Sequence, residues 1–192
     1  MVVIDATILM LFFRPDVPVP TGKGGARIDL PKERIEHLIQ QLEKARTKII
    51  VPTPVLSEIL VRAGPAASQE IVEKLNRFAV FRIESFDAKA AIEVAAMTRG
   101  ALASTGKKRG DATGPWAKIK YDRQIVAIAK VTRATTIYSD DDDIRTIATV
   151  ENIPVVGLAE LPLPDEARQG DLFKHQEVER EPPPEKEADD EA

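Results

Sequence analysis

The segment VVIDATILMLFF, residues 2–13, holds a single carboxylate, Asp5, in a largely apolar stretch. Residues 2–4 are β-branched and favour a buried strand. An ionised carboxylate buried without a partner destabilises a fold by several kcal/mol, so Asp5 needs a compensating interaction. Two roles are open: an N-cap at a strand–helix junction, assisted by Thr7, or membership of a functional site.

The alternation of strand and helix patterns continues along the chain. Short strand-like runs recur at residues 49–51, 80–83, 135–139 and 154–158, and helical patterns lie between them. After the second strand, Thr53 can cap a helix that Gly64 can end. This alternation predicts the α/β class, as a three-layer α/β/α sandwich with a central parallel sheet and right-handed crossovers. In such sheets the functional crevice lies at the carboxyl ends of the strands.

Charge is distributed unevenly. Residues 165–192 carry eleven acidic and four basic residues, a balance of −7, which leaves +3 on residues 1–164 out of a net charge of −4. A Pro triplet and few large apolar side chains predict that this segment is disordered. We therefore expect one domain over residues 1–164 and an acidic, disordered C-terminal tail over 165–192.

Several classes of chemistry find no support in the composition. The absence of cysteine excludes disulfides, thiolate metal sites and cysteine nucleophiles, and it fits a reducing cytoplasm. No apolar run has membrane-spanning length, so we expect a cytoplasmic protein without a membrane span. The two histidines, His37 and His175, are poorly placed for catalysis or zinc binding. Neither a phosphate-binding P-loop nor a GxSxG elbow occurs.

Carboxylates are the remaining candidates for functional groups, and several of them lie near the ends of predicted strands. Each of them also has a purely structural explanation. Glu58 can interact favourably with a helix dipole, Asp122 can cap a helix, and Asp140–Asp143 can be the solvated start of a helix. Asp5, however, follows the first strand and Asp140–Asp143 follow the fourth, so both groups belong at the same edge of a parallel sheet. Hard divalent cations prefer such oxygen ligands, and a bound metal can activate water and stabilise charge on a phosphate.

Four segments together resemble motifs of the PIN-domain family, in particular VapC-type toxin ribonucleases of toxin–antitoxin pairs. They are VVIDATIL, PTPVLSEIL, YDRQIVAIAKV and IYSDDDDIRTIA, and they cover roughly residues 1–160 in the family's order. The positions that match family motif residues are Asp5, Thr7, Glu58, Asp122, Ser139, Asp141 and Asp143.

The resemblance implies a metal-dependent endoribonuclease that uses Mg²⁺ or Mn²⁺ to hydrolyse RNA. It further implies an antitoxin as protein partner and a homodimer. The metal ligands would be Asp5, Asp122 and Asp141. Glu58 and Asp143 would complete the catalytic set, and Thr7 and Ser139 would hydrogen-bond the carboxylates or the attacking water. In the acidic run, Asp140 and Asp142 are then expected to be a solvated pair.

A basic segment near residues 104–118 is the candidate contact for RNA. Positive charge beside the aromatic Trp116 suits phosphate contacts and base stacking on a single strand, although a solvated loop with Trp116 packed on the core is the alternative. The candidate cations are Lys107, Lys108, Arg109, Lys118 and Lys120.

Other functions stay open beside this one. A haloacid dehalogenase-type phosphohydrolase also begins with an Asp after the first strand, but it needs a second Asp where this chain has Thr7. A PIN-like module that binds RNA without cleaving it is the second alternative. The acidic tail is either a solubilising end or a segment that folds back and competes with RNA for a cationic path.

Overall fold

One parallel sheet forms the centre of the compact unit Met1–Pro162. Its strands are β1 (Val2–Ile4), β2 (Ile49–Pro52), β3 (Phe81–Glu84), β4 (Ile137–Tyr138) and β5 (Val155–Val156), in the order β3-β2-β1-β4-β5. The computed structural model describes residues 1–14, 18–19 and 25–164. All four strand pairings are parallel, so the predicted sheet is confirmed.

In the part of the chain that the structure describes, six helices cover the two faces of this sheet. They are α1 (Ala6–Phe13), α2 (Pro31–Lys44), α3 (Thr53–Arg77), α4 (Ala88–Thr105), α5 (Trp116–Val131) and α6 (Asp142–Val150), with a short 3-10 helix at Leu158–Glu160. α1 contacts α2 and α3, whereas α5 contacts α4 and α6. This grouping is the one that right-handed crossovers require, and it confirms the three-layer α/β/α fold.

β1 is buried along its whole length because helices cover both faces of the sheet. Ile4, Ile8 and Leu9 are among the largest fully buried side chains. The compact unit built around them spans Met1–Pro162. The predicted tail lies outside the described residues. No helix within the described part of the chain combines the length and apolarity that crossing a membrane requires.

Helix boundaries differ from the sequence expectations in three places. Thr53 was a candidate cap of α3, but Pro52 holds that position and the Thr53 hydroxyl accepts the N–H of Phe86 (3.0 Å). Asp122 lies within α5 rather than at its start, because the helix already begins at Trp116. The predicted loop at 104–118 is correspondingly short, since α4 and α5 extend into it from both sides.

α3 consists of two helical segments separated by Gly64. This residue has φ 75° and ψ 171°, a conformation that glycine adopts without strain, and Pro65 starts the second segment. The predicted helix end at Gly64 is therefore confirmed.

The strand order creates a switch point between β1 and β4. The chain leaves β1 toward β2 on one side, and it leaves β4 toward β5 on the other. The crevice of a doubly wound sheet opens at such a point, beyond the carboxyl ends of the strands. Asp5 follows β1 and Ser139 follows β4, and the N–H of Asp5 donates to the carbonyl of Tyr138 (2.9 Å).

Candidate metal centre

Asp5 is a buried acid at the start of α1. Its Oδ1 accepts the N–H of Ala6 (2.6 Å), so the residue caps the helix, while its Oδ2 accepts the hydroxyl of Ser139 (2.9 Å). Only 6% of Asp5 is exposed. Burial raises the pKa of Asp5 to about 6, against the lowering effect of these two hydrogen bonds, and the charges of Glu58 and Asp141 add to the increase. Asp5 therefore caps α1 and also lines a cleft of the molecule.

Ser139 connects the ends of β1 and β4. Its fully buried hydroxyl donates to Asp5 and accepts the N–H of Asp141 (3.1 Å). The contact with Asp5 agrees with the predicted supporting role of Ser139. Thr7, the other residue predicted to support the carboxylates, is partly buried and lines the same cleft.

Asp141 caps α6. Its Oδ1 accepts the N–H groups of Asp143 (2.8 Å) and Ile144 (3.3 Å). The helix that begins here directs successive carboxylates to different surroundings: Asp142 is exposed and Asp143 is buried.

The predicted solvation of Asp140 is wrong. Its Oδ1 accepts the N–H of Leu158 (2.8 Å), and burial raises the pKa of this half-buried carboxyl. The N–H at the start of the 3-10 helix needs an acceptor, and Asp140 supplies it. The prediction holds for Asp142, which is exposed.

Asp143 is held by the loop that precedes α5. Its Oδ1 accepts the N–H groups of Thr113 (2.7 Å) and Gly114 (3.3 Å). A Cβ on Gly114 would lie 2.5 Å from Asp143 Oδ2, so the loop reaches the carboxylate because residue 114 has no side chain. Burial raises the pKa of Asp143, but the hydrogen bonds from Lys118 and from these two N–H groups outweigh it and hold the pKa below its usual value.

Three carboxylates lie close together. Asp122, Asp141 and Asp143 each present one oxygen, and these oxygens lie within 4.8 Å of one another; among the residues that the structure describes, Asp5 does not join this set. Burial raises the pKa of Asp122 to about 6, and the charges of Asp141 and Asp143 add to this effect while Lys118 opposes it.

Lys118 lies between the three carboxylates. Its Nζ is 3.0 Å from Asp122 Oδ2, 2.8 Å from Asp141 Oδ2 and 2.9 Å from Asp143 Oδ2. Burial opposes the charged form, but the three hydrogen bonds outweigh it and raise the pKa of Lys118. Sequence reasoning assigned Lys118 to a basic RNA-binding segment and missed this contact. The spacing of four residues between Lys118 and Asp122, on one face of a helix, was the available signal.

Glu58 lies at the rim of the same cleft. Its side chain is 45% exposed and pairs with Arg62 one helical turn later (2.6 Å). The cleft has a volume of about 600 Å³, and its lining includes Glu58, Asp5, Asp122 and Asp141. The predicted acids from four separate segments thus meet in one place.

The donor set fits Mg²⁺ or Mn²⁺. All its donors are carboxylate oxygens, which these hard ions prefer. The oxygens lie within 4.8 Å of one another, and opposite ligand oxygens of an octahedral Mg²⁺ ion are separated by a similar distance, roughly 4.2 Å. A cationic group, the Lys118 ammonium, already lies where the three oxygens converge. The cluster is therefore arranged around a positive charge.

The basic residues have different surroundings. Lys107, Lys108 and Lys120 are exposed, and Arg109 Nη1 donates to the carbonyl of Gly114 (3.4 Å). Trp116 was alternatively expected to pack on the core, but it is 37% exposed. Its ring lies 5.6 Å from the guanidinium carbon of the buried Arg123, a residue that sequence reasoning did not select.

Comparison with known proteins gives a result at the level of the fold. No family model matches the sequence, and no curated protein matches it. Solved structures do match most of the chain, among them two protein–DNA complexes. The VapBC2 complex of Rickettsia felis bound to promoter DNA has a chain 16% identical, with a TM-score of 0.53, over 82% of this chain and 98% of that chain. A FitAB complex bound to an IR36 DNA fragment has one 18% identical, with a TM-score of 0.55, over 84% and 98%.

The chain has the PIN fold. At these identities the likeness establishes the architecture alone. Within this PIN fold, the acids that the sequence motifs selected lie beyond the carboxyl ends of β1 and β4 and on the two helices that face them, α3 and α5.

Proposed function

We propose that the chain is a metal-dependent endoribonuclease that hydrolyses RNA phosphodiester bonds with Mg²⁺ or Mn²⁺. The observation that carries this proposal is the convergence of Asp122, Asp141 and Asp143 around the Lys118 ammonium. Two of these acids, Asp122 and Asp141, line an open cleft. The PIN fold, shared with chains of the VapBC2 and FitAB complexes, supports it.

Each acid has a proposed part in this reaction. Asp122, Asp141 and Asp143 would hold the metal. Asp5 would complete the site from β1, and Glu58 would be an additional acid at the rim of the cleft. When bound, a divalent ion activates water and offsets the charge that develops on the phosphate. Ser139 orients both Asp5 and the N-terminus of α6. In the metal-free protein burial raises the pKa of Asp5 to about 6, and a bound cation would lower it again by stabilising the carboxylate.

The basic loop is the proposed contact for the RNA backbone. The loop adjoins the acidic cluster, since Thr113 and Gly114 donate to Asp143, and it exposes Lys107, Lys108 and Arg109. Neutralising these three residues should weaken RNA affinity and reduce its dependence on salt concentration. If affinity and salt dependence both stay unchanged, the RNA path lies elsewhere.

We further propose that the protein is the toxin of a toxin–antitoxin pair and forms a homodimer. The likeness to chains from VapBC2 and FitAB complexes supports an antitoxin as the protein partner. The test is to find a neighbouring reading frame that encodes a small protein and to produce that protein together with this chain. Copurification of the two proteins and inhibition of RNA cleavage would support this role.

A PIN-like module that binds RNA without cleaving it is the second candidate. The observation in its favour is Lys118, because an ammonium that neutralises the cluster allows the acids to persist without a metal. The two candidates differ in one measurable property, which is cleavage of RNA that depends on added metal.

The test uses the full chain, stripped with a chelator and incubated with labelled single-stranded RNAs. Added Mg²⁺ or Mn²⁺ should restore cleavage in the wild type, and Asp141→Asn should abolish it with folding retained. Asp142→Asn is the matched control, because it makes the same change at the exposed neighbouring residue. RNA binding without metal-dependent cleavage would favour the module, and cleavage by Asp141→Asn in the presence of chelator would exclude the metal mechanism.

A further inference from the structure

The Lys118 ammonium occupies the point where the three carboxylates converge. Its distances to Asp122, Asp141 and Asp143 are equal within 0.2 Å, between 2.8 and 3.0 Å. The ammonium has three N–H donors, so it can satisfy one oxygen of each residue. It therefore has the position and the charge sign of a bound cation.

A divalent ion and this ammonium cannot share the cluster. Mg²⁺ bonds to oxygen at about 2.0–2.1 Å, so an ion on these three oxygens would lie within contact distance of the Lys118 Nζ. Two cations at such a separation repel strongly, and each competes for the same lone pairs. Binding of the ion requires the ammonium to leave.

Lys118 has a route by which to leave. Its side chain is 40% exposed, and it lines the open cleft together with Asp5, Glu58 and Tyr121. A lysine side chain has a flexible four-carbon stem and carries its charge into water readily. The backbone of α5 need not move for this change, because rotation of the side chain alone takes Nζ out of the cluster.

We propose that Lys118 is a built-in competitor of the metal: its ammonium holds the three carboxylates together in the metal-free protein and must be displaced when Mg²⁺ or Mn²⁺ binds. This inference rests on the proposed metal-dependent function and adds a regulation of the same site. The protein stays folded without metal, and the metal concentration at which the site fills is set by this competition.

Mn²⁺ binding to the chelator-stripped full chain tests the proposal without any assay of RNA cleavage. Titration calorimetry, or the electron paramagnetic resonance signal of free Mn²⁺, gives the dissociation constant at a salt concentration that screens distant charges. Lys118→Met should bind Mn²⁺ about 10-fold tighter than the wild type, because the competing ammonium is gone. Lys120→Met, with the same charge change at an exposed position of the same helix, should stay within about 2-fold of it.

The outcomes separate this inference from the proposed function. Equal or weaker Mn²⁺ binding by Lys118→Met, with Asp141→Asn losing binding, would overturn the competition and leave the metal site standing. Mn²⁺ binding by Asp141→Asn as tight as in the wild type would overturn both, because the ion would then lie elsewhere.

A measurement on the wild type keeps the test decisive if Lys118→Met does not fold. In nitrogen-15 spectra of the metal-free chain, the Lys118 ammonium should give a slowly exchanging signal, which its own side-chain correlations assign. Saturating Mg²⁺ should abolish that signal as the group enters solvent. A signal unchanged at saturating Mg²⁺ would overturn the proposal.

Discussion

Two acidic sites in one cleft neutralise their charge in different ways. Around Asp122, Asp141 and Asp143 a lysine supplies positive charge at 2.8–3.0 Å, whereas around Asp5 the described contacts are neutral donors, Ala6 N–H and Ser139 Oγ. Asp143 keeps a lowered pKa, while burial raises the pKa values of Asp5 and Asp122 to about 6, in Asp122 against the opposing charge of Lys118. Where no cation is in contact, as at Asp5, burial favours the protonated carboxyl.

This difference indicates how each site would respond to a bound cation. In the cluster around Lys118, a metal ion replaces the ammonium, so one cation is exchanged for another. In the metal-free protein the ammonium already balances part of the negative charge of the three carboxylates. Asp5 carries an electrostatic cost at neutral pH that an incoming cation would relieve. Changes at Asp5 should therefore affect activity and stability in opposite directions, whereas changes around Asp143 should act through its geometry.

The largest effect is expected from Asp5→Asn. Loss of this carboxylate should reduce RNA cleavage by about 100-fold or more, because the negative charge contributed from β1 is removed. Cleavage rates at saturating Mn²⁺, with circular dichroism to confirm folding, measure it. Cleavage at the wild-type rate would mean that the Lys118 cluster is sufficient and that Asp5 is only a helix cap.

The same substitution should stabilise the metal-free protein at alkaline pH. Since the pKa of Asp5 is raised from 3.8 to about 6, the folded state favours the protonated acid, and this contribution to stability is lost as pH rises through 6. Asp5→Asn avoids that loss, so it should raise the free energy of unfolding by up to about 3 kcal/mol at pH 8 and by little near pH 4. Urea denaturation at both pH values checks this, and a difference independent of pH would contradict it.

Gly114→Ala should have an intermediate effect through Asp143. The new Cβ would lie 2.5 Å from Asp143 Oδ2 and 3.3 Å from Lys118 Cδ, so the carboxylate must shift. We expect Mn²⁺ affinity to change by about 10-fold, because the position of one ligand oxygen changes. Gly157→Ala is the matched control, since its Cβ would lie 2.7 Å from Oδ1 of Asp140, a carboxylate that does not belong to the cluster. Equal effects of the two changes on Mn²⁺ affinity would remove Asp143 from the site.

The smallest effect is expected from Glu58→Gln. Glu58 is 45% exposed and pairs with Arg62 on the surface, a type of ion pair worth about 0.5 kcal/mol or less. Stability should change by no more than this amount, and cleavage should fall by about 10-fold or less, because the residue lies at the rim. Arg62→Gln separates the ion pair from the acid. A loss of cleavage as large as that of Asp5→Asn would place Glu58 among the essential acids.

Much of the fold could be predicted because it follows from local patterns. Short apolar runs, β-branched above all in β1, β2 and β5, mark the strands. Parallel topology brings the residues after β1 and β4 to one edge of the sheet, so Asp5, Ser139 and Asp141 could be placed together. The helix break at Gly64 followed from the conformational freedom of glycine.

The remaining features depend on contacts between distant segments. Asp140 pairs with the N–H of Leu158, and Asp143 is held by Thr113 and Gly114, contacts that no periodicity reports. Lys118 resembled a solvated loop cation because α5 begins earlier than expected. Hydrophobic patterns indicate which face is buried, but the partner of a polar group depends on where loops place their backbone N–H groups.

The Ser139 hydroxyl makes the two strand ends depend on each other through the direction of a hydrogen bond. A hydroxyl has one proton, and here Ser139 gives it to Asp5 Oδ2 while its oxygen accepts from Asp141 N–H. If Asp5 takes up a proton on Oδ2, that atom becomes a donor and the Ser139 proton must turn away. The protonation state of Asp5 thus sets the direction of the hydrogen bond between Asp5 and Ser139. Ser139 in turn accepts the N–H of Asp141, so this chain of hydrogen bonds connects Asp5 to the start of α6.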